Sequence, residues 1–272
     1  ISSAVNPYRM KGQQMKPYPL SYFSSIVTAR QILAGRIGSK IWQKILTTFF
    51  LISLLIIPSS LQTARLETYP LDTLVEGIFD PLTPEVMADF QSAQIIDGQL
   101  VYEGPNHEQV YASEDRQEWT GFSYQFAKEK LVIRKDADVL AELSYQAISS
   151  SDFSSKESLS AAISRTWFQE NRIAVSLLLI GVSGLLLATN FLLLIVGASL
   201  ILWLISRTKF FDFKSFGEAY QFSLNCLGLP TLLACLFGLF QQPIQTVILV
   251  QNTVFALVLV WVFYKTRFRD AA

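Results

Sequence analysis

Histidine and cysteine are almost missing from this chain. His107 stands alone, and Cys226 and Cys235 are the only thiols in 272 residues. Zinc sites need three or four clustered ligands, so no metal centre is legible. Two cysteines exclude a disulfide-stapled scaffold, and nine residues apart in an apolar stretch they read as small packing residues. Charge is scarce as well, at 16% against about 25% in soluble domains. Lys+Arg and Asp+Glu balance at 22 each, which gives no case for nucleic acid. A Walker lysine motif and a Rossmann glycine fingerprint are both absent. What is abundant is apolar surface: 51% hydrophobic residues and a mean hydropathy of +0.34. That composition excludes a disordered chain, which needs low hydrophobicity and high net charge.

The balanced total hides a segregation of charge. Residues 1–44 carry Arg9, Lys11, Lys16, Arg30, Arg36, Lys40 and Lys44 and no acid. Residues 63–172 carry nine basic and nineteen acidic residues, a net of −10. Between them Ile45–Leu61 is uncharged and long enough for a bilayer core, which takes about 17–25 residues. More than forty mostly polar residues precede this run and no clear cleavage site follows it, so it reads as an uncleaved anchor rather than a signal peptide. Basic flanks stay in the cytoplasm, which places the acidic segment outside.

Residues 173–206 form a second uncharged run of 34 positions, roughly 51 Å as a helix. Thr189-Asn190 at its midpoint marks either a kink in one long helix or the tip of a short hairpin. Two more runs follow, Ala219–Phe240 and Ile244–Tyr264, split by Gln241-Gln242-Pro243. Basic clusters at Arg207, Lys209 and Lys214 and at Lys265, Arg267 and Arg269 both lie inside if 173–206 crosses once. The expectation is four crossings, with five as the alternative. Phe210–Phe216 alternates aromatic and polar residues, as at a cytoplasmic interface.

The resulting fold class is an α-helical polytopic membrane protein of about four spans. A small α+β extracytoplasmic domain is inserted between the first and second. The expected divisions are a basic cytoplasmic segment 1–44, a first span 45–62, an external domain 63–171 and a long second span 172–207. An interfacial loop 208–218, spans 219–240 and 244–265 and a cytoplasmic tail 266–272 complete the chain. The expected location is the plasma membrane.

Within the external domain, Leu71, Leu74, Val75 and Ile78 recur at helical spacing. Thr83-Pro84-Glu85 is a second helix start. Asp97-Gly98 between Ala93–Ile96 and Gln99–Tyr102 is a two-residue hairpin signal. Gln109–Tyr111, Phe122–Phe126, Lys130–Arg134 and Val139–Tyr145 supply further strands, expected in an antiparallel sheet, with a turn at 135–138. Ser154-Ser155-Lys156-Glu157 has capping-box spacing and opens a helix carrying Leu159, Ile163 and Trp167 on one face. Nothing breaks that helix before Arg172, so it is expected to run into the second span. The external carboxylates, among them Asp72, Glu76, Asp80 and Asp89, are evenly spread and read as a solvated acidic surface. Glu114, Asp115 and Glu118 are too sparse for a calcium loop.

No Asp, Glu, Lys, Arg or His lies in the middle of any apolar run. Intramembrane ionisable groups are the usual mark of proton and ion pathways, so this argues against a proton-coupled transporter, an aspartyl intramembrane protease and a voltage sensor. Gly181-Val182-Ser183-Gly184 resembles the nucleophile motif of rhomboid-type proteases. A serine needs a base within reach, and the only histidine is in the external domain, so helix packing is the better reading. The third span is the most polar. Ser223 and Asn225 precede Gly228-Leu229-Pro230, whose proline frees a carbonyl one turn earlier. Gln245, Gln251 and Asn252 on the last span are candidate partners. Ser223, Asn225, Pro230, Gln251 and Asn252 therefore form the candidate site, for helix packing or for binding a membrane partner or lipid.

The ordering resembles a Gram-positive membrane-protein family without an assigned activity. Some of its streptococcal members are called maltodextrin-utilisation protein MalA. The likeness rests on Asp89-Phe90, Ile95–Leu100, Leu131-Val132-Ile133, Phe216–Tyr220, Ser223-Leu224 and Leu229–Leu232, over roughly residues 40–265. The C-terminal half is also loosely similar to Yip-type membrane domains. The family resemblance implies a Gram-positive plasma membrane and an accessory link to maltodextrin uptake or its regulation. The expected partners are the lipid bilayer and a membrane protein, with an ABC transporter permease as one candidate. It supplies no functional residues. The leading expectation is a non-enzymatic accessory or sensor protein without a cofactor. The alternatives are an oligomeric transport component for a neutral solute or lipid, and an envelope hydrolase using external carboxylates.

Overall fold

The computed structural model describes residues 22–23, 26–112, 121–136, 138–208 and 211–269. In chain order the helices are α1 (Ala29–Ala34), α2 (Ile41–Ala64), α3 (Pro84–Phe90), α4 (Lys156–Glu170), α5 (Arg172–Ser206), α6 (Phe216–Leu239) and α7 (Ile244–Thr266). The strands are β1 (Gln94–Ile96), β2 (Gln99–Val101), β3 (Val110–Tyr111), β4 (Phe122–Phe126), β5 (Lys130–Lys135) and β6 (Asp138–Ser144). The chain divides into a helical unit, residues 1–64 with 179–272, and a strand-containing unit, residues 65–178.

Four helices, α2, α5, α6 and α7, are long and apolar enough to cross a membrane. Residues 172–206 form one uninterrupted helix of 35 residues. Thr189-Asn190 is neither a hairpin tip nor a break. The nearly charge-free composition leaves large apolar side chains on α2, α5 and α7 facing outward, Ile45, Leu185 and Leu257 among them. α6 is the central helix, with 67% of its most apolar window buried against 28% for each of the other three. It stays helical through Gly228 and Pro230 rather than breaking there. Small residues set its packing distances. A Cβ on Gly238 would lie 2.7 Å from Pro58 Cβ of α2, and one on Gly228 would lie 2.8 Å from Tyr22 Oη and Ile26 Cδ1. Gly184, from the Gly-Val-Ser-Gly stretch, seats against Ile56 of α2, while Gly181 faces open space.

The basic N-terminal segment departs most from its sequence reading. Arg9, Lys11 and Lys16 lie outside the described residues. Tyr22, Ile26, Ala29, Ile32 and Leu33 belong to the buried core of the helical unit. The short α1 is capped by Thr28, whose hydroxyl accepts from Gln31 N, and it packs against α6 and α7. The apolar positions 22, 26, 29, 32 and 33 repeat at helical spacing, yet Arg30 among them and the basic residues on either side make the segment read as a basic tail.

In the strand-containing unit, β1 and β2 form the expected hairpin, with Asp97 and Gly98 at positive φ (50° and 74°), the geometry of the tight hairpin turn that prefers Asp-Gly. The main sheet has the order β3-β4-β5-β6. β4–β5 and β5–β6 are antiparallel, but β3 runs parallel to β4. The expected all-antiparallel sheet is thus corrected at its first strand. Ten residues separate Tyr111 from Phe122, enough to release the pair from the reversal that a tight hairpin imposes.

Two helix expectations also change. The stretch from Leu71 forms only a 3-10 turn, Leu71–Thr73, followed by turns. Gly77 sits at φ +76°, which ends a right-handed helix. Tertiary partners take the backbone groups instead: Leu71 N donates to Ser164 Oγ and Tyr124 Oη donates to Ile78 O. α4 does not run unbroken into α5. Asn171 has φ −109° and ψ 16°, and its side-chain Nδ2 donates to Trp167 O. The cap of α4 is Ser155, accepting from Ser158 N, while the capping box is between Ser149 and Asp152, at the start of the 3-10 helix Ser150–Ser154 that precedes α4. α3 starts as read, with Thr83 Oγ1 accepting from Val86 N.

Candidate functional site

The polar residues of the helical unit fall into two clusters. In the first, Asn225 is 1% exposed. Its Nδ2 donates to the carbonyl of Ile32 (3.1 Å) and its Oδ1 accepts from Gln221 Nε2 (2.9 Å). Tyr22 Oη donates to Leu224 O nearby (2.8 Å). The i, i+4 spacing of Gln221 and Asn225 places them on one face of α6, where they meet the N-terminal segment rather than the last span. Ser223 is fully buried on the same helix, and its Oγ has no hydrogen-bond partner among the described residues.

Arg36 extends this cluster. It is 2% exposed, with Nη1 donating to Leu33 O (2.9 Å) and Nη2 to Asp212 O (3.1 Å). Its Nε lies 3.9 Å from Glu218 Oε2, and its guanidinium sits 5.6 Å from the Phe213 ring centroid. A planar fork satisfying two carbonyls while facing a carboxylate is a use that suits arginine over lysine.

The second cluster joins three helices. Asn190 of α5 donates through Nδ2 to Gln251 Oε1 and to Asn252 Oδ1, both at 3.1 Å. Asn252 Nδ2 donates back to Asn190 Oδ1 (3.3 Å). Gln251, fully buried, donates through Nε2 to Thr231 Oγ1 of α6 (3.2 Å). Of the five candidates, Gln251 and Asn252 therefore meet each other's neighbourhood through Asn190. Pro230 is buried beside Thr231, and Asn225 and Ser223 belong to the other cluster. Asn190 is the residue that sequence reasoning missed as a partner. Its signal was present: it is the only carboxamide in a 34-residue uncharged run. The cluster can hold helices in register through neutral hydrogen bonds, and carboxamides carry no proton to transfer near neutral pH.

The strand-containing unit carries an open cavity of about 620 Å³. Asp72, Glu76, Asp80 and Glu157 line it, with Ser160 and Phe79. The carboxylates that read as an evenly solvated surface are thus partly gathered on one concavity. Asp72, Glu76 and Asp80 recur every four residues, a pattern that the turns over 71–82 bring to the cavity without a helix. Elsewhere His107 Nε2 lies 3.0 Å from Asp89 Oδ2, and Phe90 stacks on Tyr102 at 4.2 Å between centroids. Burial, and then the charge of Asp89, push the Tyr102 phenol above its ordinary range. Among the described residues no three His, Cys, Asp or Glu side chains group closely enough to hold a metal ion. Glu114, Asp115 and Glu118 lie outside the described residues.

No family model and no solved structure matches the chain. Among curated proteins, it is 42% identical over 261 residues to the maltodextrose utilization protein MalA of Streptococcus pneumoniae (strain ATCC BAA-255 / R6). The match covers 94% of this chain and 98% of that protein. At that identity and coverage, with four helices able to span a membrane in place, the chain belongs to the MalA family.

Proposed function

We propose that this protein is a non-enzymatic accessory or sensor protein of the plasma membrane that serves maltodextrin utilisation through a membrane partner. The link to maltodextrin rests on the name of its streptococcal relative. The observation that carries the accessory reading is the polar seam of the helical unit. Apart from Arg36 at its edge, its side chains are carboxamides and hydroxyls bonded largely to one another, an arrangement suited to holding helices rather than moving protons or ions. A partner is then met by surface outside this seam, on the lipid-facing helices or the strand-containing unit. An ABC transporter permease is a candidate partner. Co-purification from native membranes in mild detergent tests this; a stable protomer recovered alone under all extraction conditions would count against it.

The proposed orientation puts the N-terminus in the cytoplasm and residues 63–171 outside, following the basic end of the helical unit. Single cysteines at Lys128→Cys and Lys214→Cys, in a Cys226→Ala/Cys235→Ala background, test it. An impermeant maleimide should label the first on intact cells and the second only after permeabilisation. The opposite pattern would reverse the orientation.

The four carboxylates on the cavity of the strand-containing unit favour a second reading, an envelope hydrolase acting on a glycan. Incubating the purified full chain with maltotetraose and resolving the products decides it. No cleavage by wild type, or equal cleavage by Asp72→Asn/Glu76→Gln/Asp80→Asn/Glu157→Gln, rejects it.

A further inference from the structure

We infer that one end of the helical unit is a binding surface for anionic phospholipid headgroups. This rests on the membrane-spanning reading of α2, α5, α6 and α7, and not on the link to maltodextrin. Four helix ends meet there. Lys44 Nζ of α2 donates to Gly217 O of α6. Trp203 of α5 packs edge-on against Phe216 of α6. Asp212 N donates to Phe268 O, just past α7. Around this end stand Lys40 and Lys44 at the start of α2, Arg207 past α5, Lys214 before α6, and Lys265 and Arg267 at the end of α7. All six are exposed or half-buried.

The local carboxylates do not cancel them. Among the described residues at this end the acids are Asp212 and Glu218. Glu218 is turned to the inside, accepting from Lys214 N (2.9 Å) and facing the buried Arg36. The outward charge is therefore strongly positive. The opposite end is sparser in charge: residues 56–64 and 236–248 contain no charged side chain, with Arg65 just past α2 and Arg172 at the start of α5. There Gln62 Nε2 joins α2 to the α6–α7 turn by donating to Gly238 O (2.9 Å) and Gln242 O (3.2 Å).

Position argues for lipid over another acidic surface. The basic side chains begin where the exposed apolar belt stops, beside Ile41, Trp42, Leu204 and Tyr264. Two of the cations lie against aromatic rings, Arg207 over Trp203 (4.2 Å) and Lys265 over Tyr264 (5.9 Å). Amphipathic rings mark headgroup depth in a bilayer, and Lys and Arg just beyond them meet the phosphates. A headgroup of one net negative charge, such as phosphatidylglycerol, fits this rim, whereas a zwitterionic one gains little from it.

The test uses the full chain in mild detergent, equilibrated with equimolar phosphatidylglycerol and phosphatidylcholine of matched acyl chains. Native mass spectrometry then counts the lipids retained. Phosphatidylglycerol should be retained on the order of 10-fold over phosphatidylcholine at low ionic strength. The ratio should fall toward one near 0.5 M salt, where screening is much shorter-ranged. Arg207→Gln/Lys214→Gln/Lys265→Gln/Arg267→Gln should abolish the preference, while Lys128→Gln/Lys130→Gln in the strand-containing unit keeps it. Equal retention of the two lipids by wild type, or a preference insensitive to salt, overturns the inference and leaves the rim to an acidic protein partner. If millimolar glycerol phosphate displaces the bound lipid, the site serves a soluble phosphate and the lipid assignment is overturned. Release of the protein from membranes by carbonate would instead overturn the spanning reading itself, so the two failures are distinguishable.

Discussion

Replacing Asn190 by leucine should destabilise the helical unit by about 2–3 kcal/mol. Asn190 makes three side-chain hydrogen bonds, two as donor at 3.1 Å and one as acceptor at 3.3 Å. Interhelical bonds of this kind average about 0.6 kcal/mol each in a membrane protein, because the unfolded chain in the bilayer also finds partners. Three of them supply roughly 2 kcal/mol. Gln251 is fully buried, so its orphaned acceptor adds a desolvation cost of about 1 kcal/mol or more. Leucine regains a little through apolar contact. The assay is unfolding in mixed micelles of increasing sodium dodecyl sulfate, followed by helical circular dichroism. A double-mutant cycle with Asn252→Leu should return a coupling of about 1 kcal/mol for the reciprocal pair. Wild-type stability in Asn190→Leu, or zero coupling in the cycle, would refute the seam as a source of stability.

Gly238→Ala should cost about 1–3 kcal/mol through overpacking, because the new methyl would lie 2.7 Å from a ring carbon of Pro58, which cannot swing away; the same denaturation series measures it. Arg36→Ala should cost about 2–3 kcal/mol by removing the charged donor's bonds to Leu33 O and Asp212 O and should loosen Ile32 and Leu33 from the core. Faster proteolysis of that segment checks it. The strand-containing unit should lose stability above about pH 10. Burial raises the phenols of Tyr124 and Tyr145 well above their ordinary range, so the unfolded chain releases protons there that the folded unit keeps. Stability is therefore fully present below the unfolded value of about 10 and falls as pH rises, by roughly 1.4 kcal/mol per tyrosine at pH 11. Hydrogen exchange across the alkaline range should show this fall, and Tyr124→Phe/Tyr145→Phe should flatten it.

Much of the helical unit was legible because lipid imposes a simple rule. A span must satisfy its backbone internally and present apolar side chains, so length and absence of charge mark it in one dimension. Asp97-Gly98 and Thr83-Pro84 were legible for a local reason, since positive φ and capping depend on two or three adjacent residues. The candidate site was half legible. Gln251 and Asn252 stood out as polar side chains in an apolar run, but Asn225 faces α1 rather than α7, and Asn190 supplies the hub. Which polar residue meets which depends on helix rotation and crossing, and these are set by distant contacts such as Gly238 on Pro58 and Gly228 on Tyr22.

The four long apolar helices, the segregation of charge and the Asp-Gly hairpin were determined by the sequence itself, because each follows from local composition or from transfer between water and lipid. Only the tertiary structure decided that Tyr22, Ile26, Ala29, Ile32 and Leu33 join the core, that Leu71–Ile78 is not an α-helix, that β3 runs parallel to β4, and that Asn190 joins Gln251 and Asn252. In each case groups far apart in the chain compete to satisfy a buried backbone or amide. The winner is set by which of them packing brings within hydrogen-bond reach.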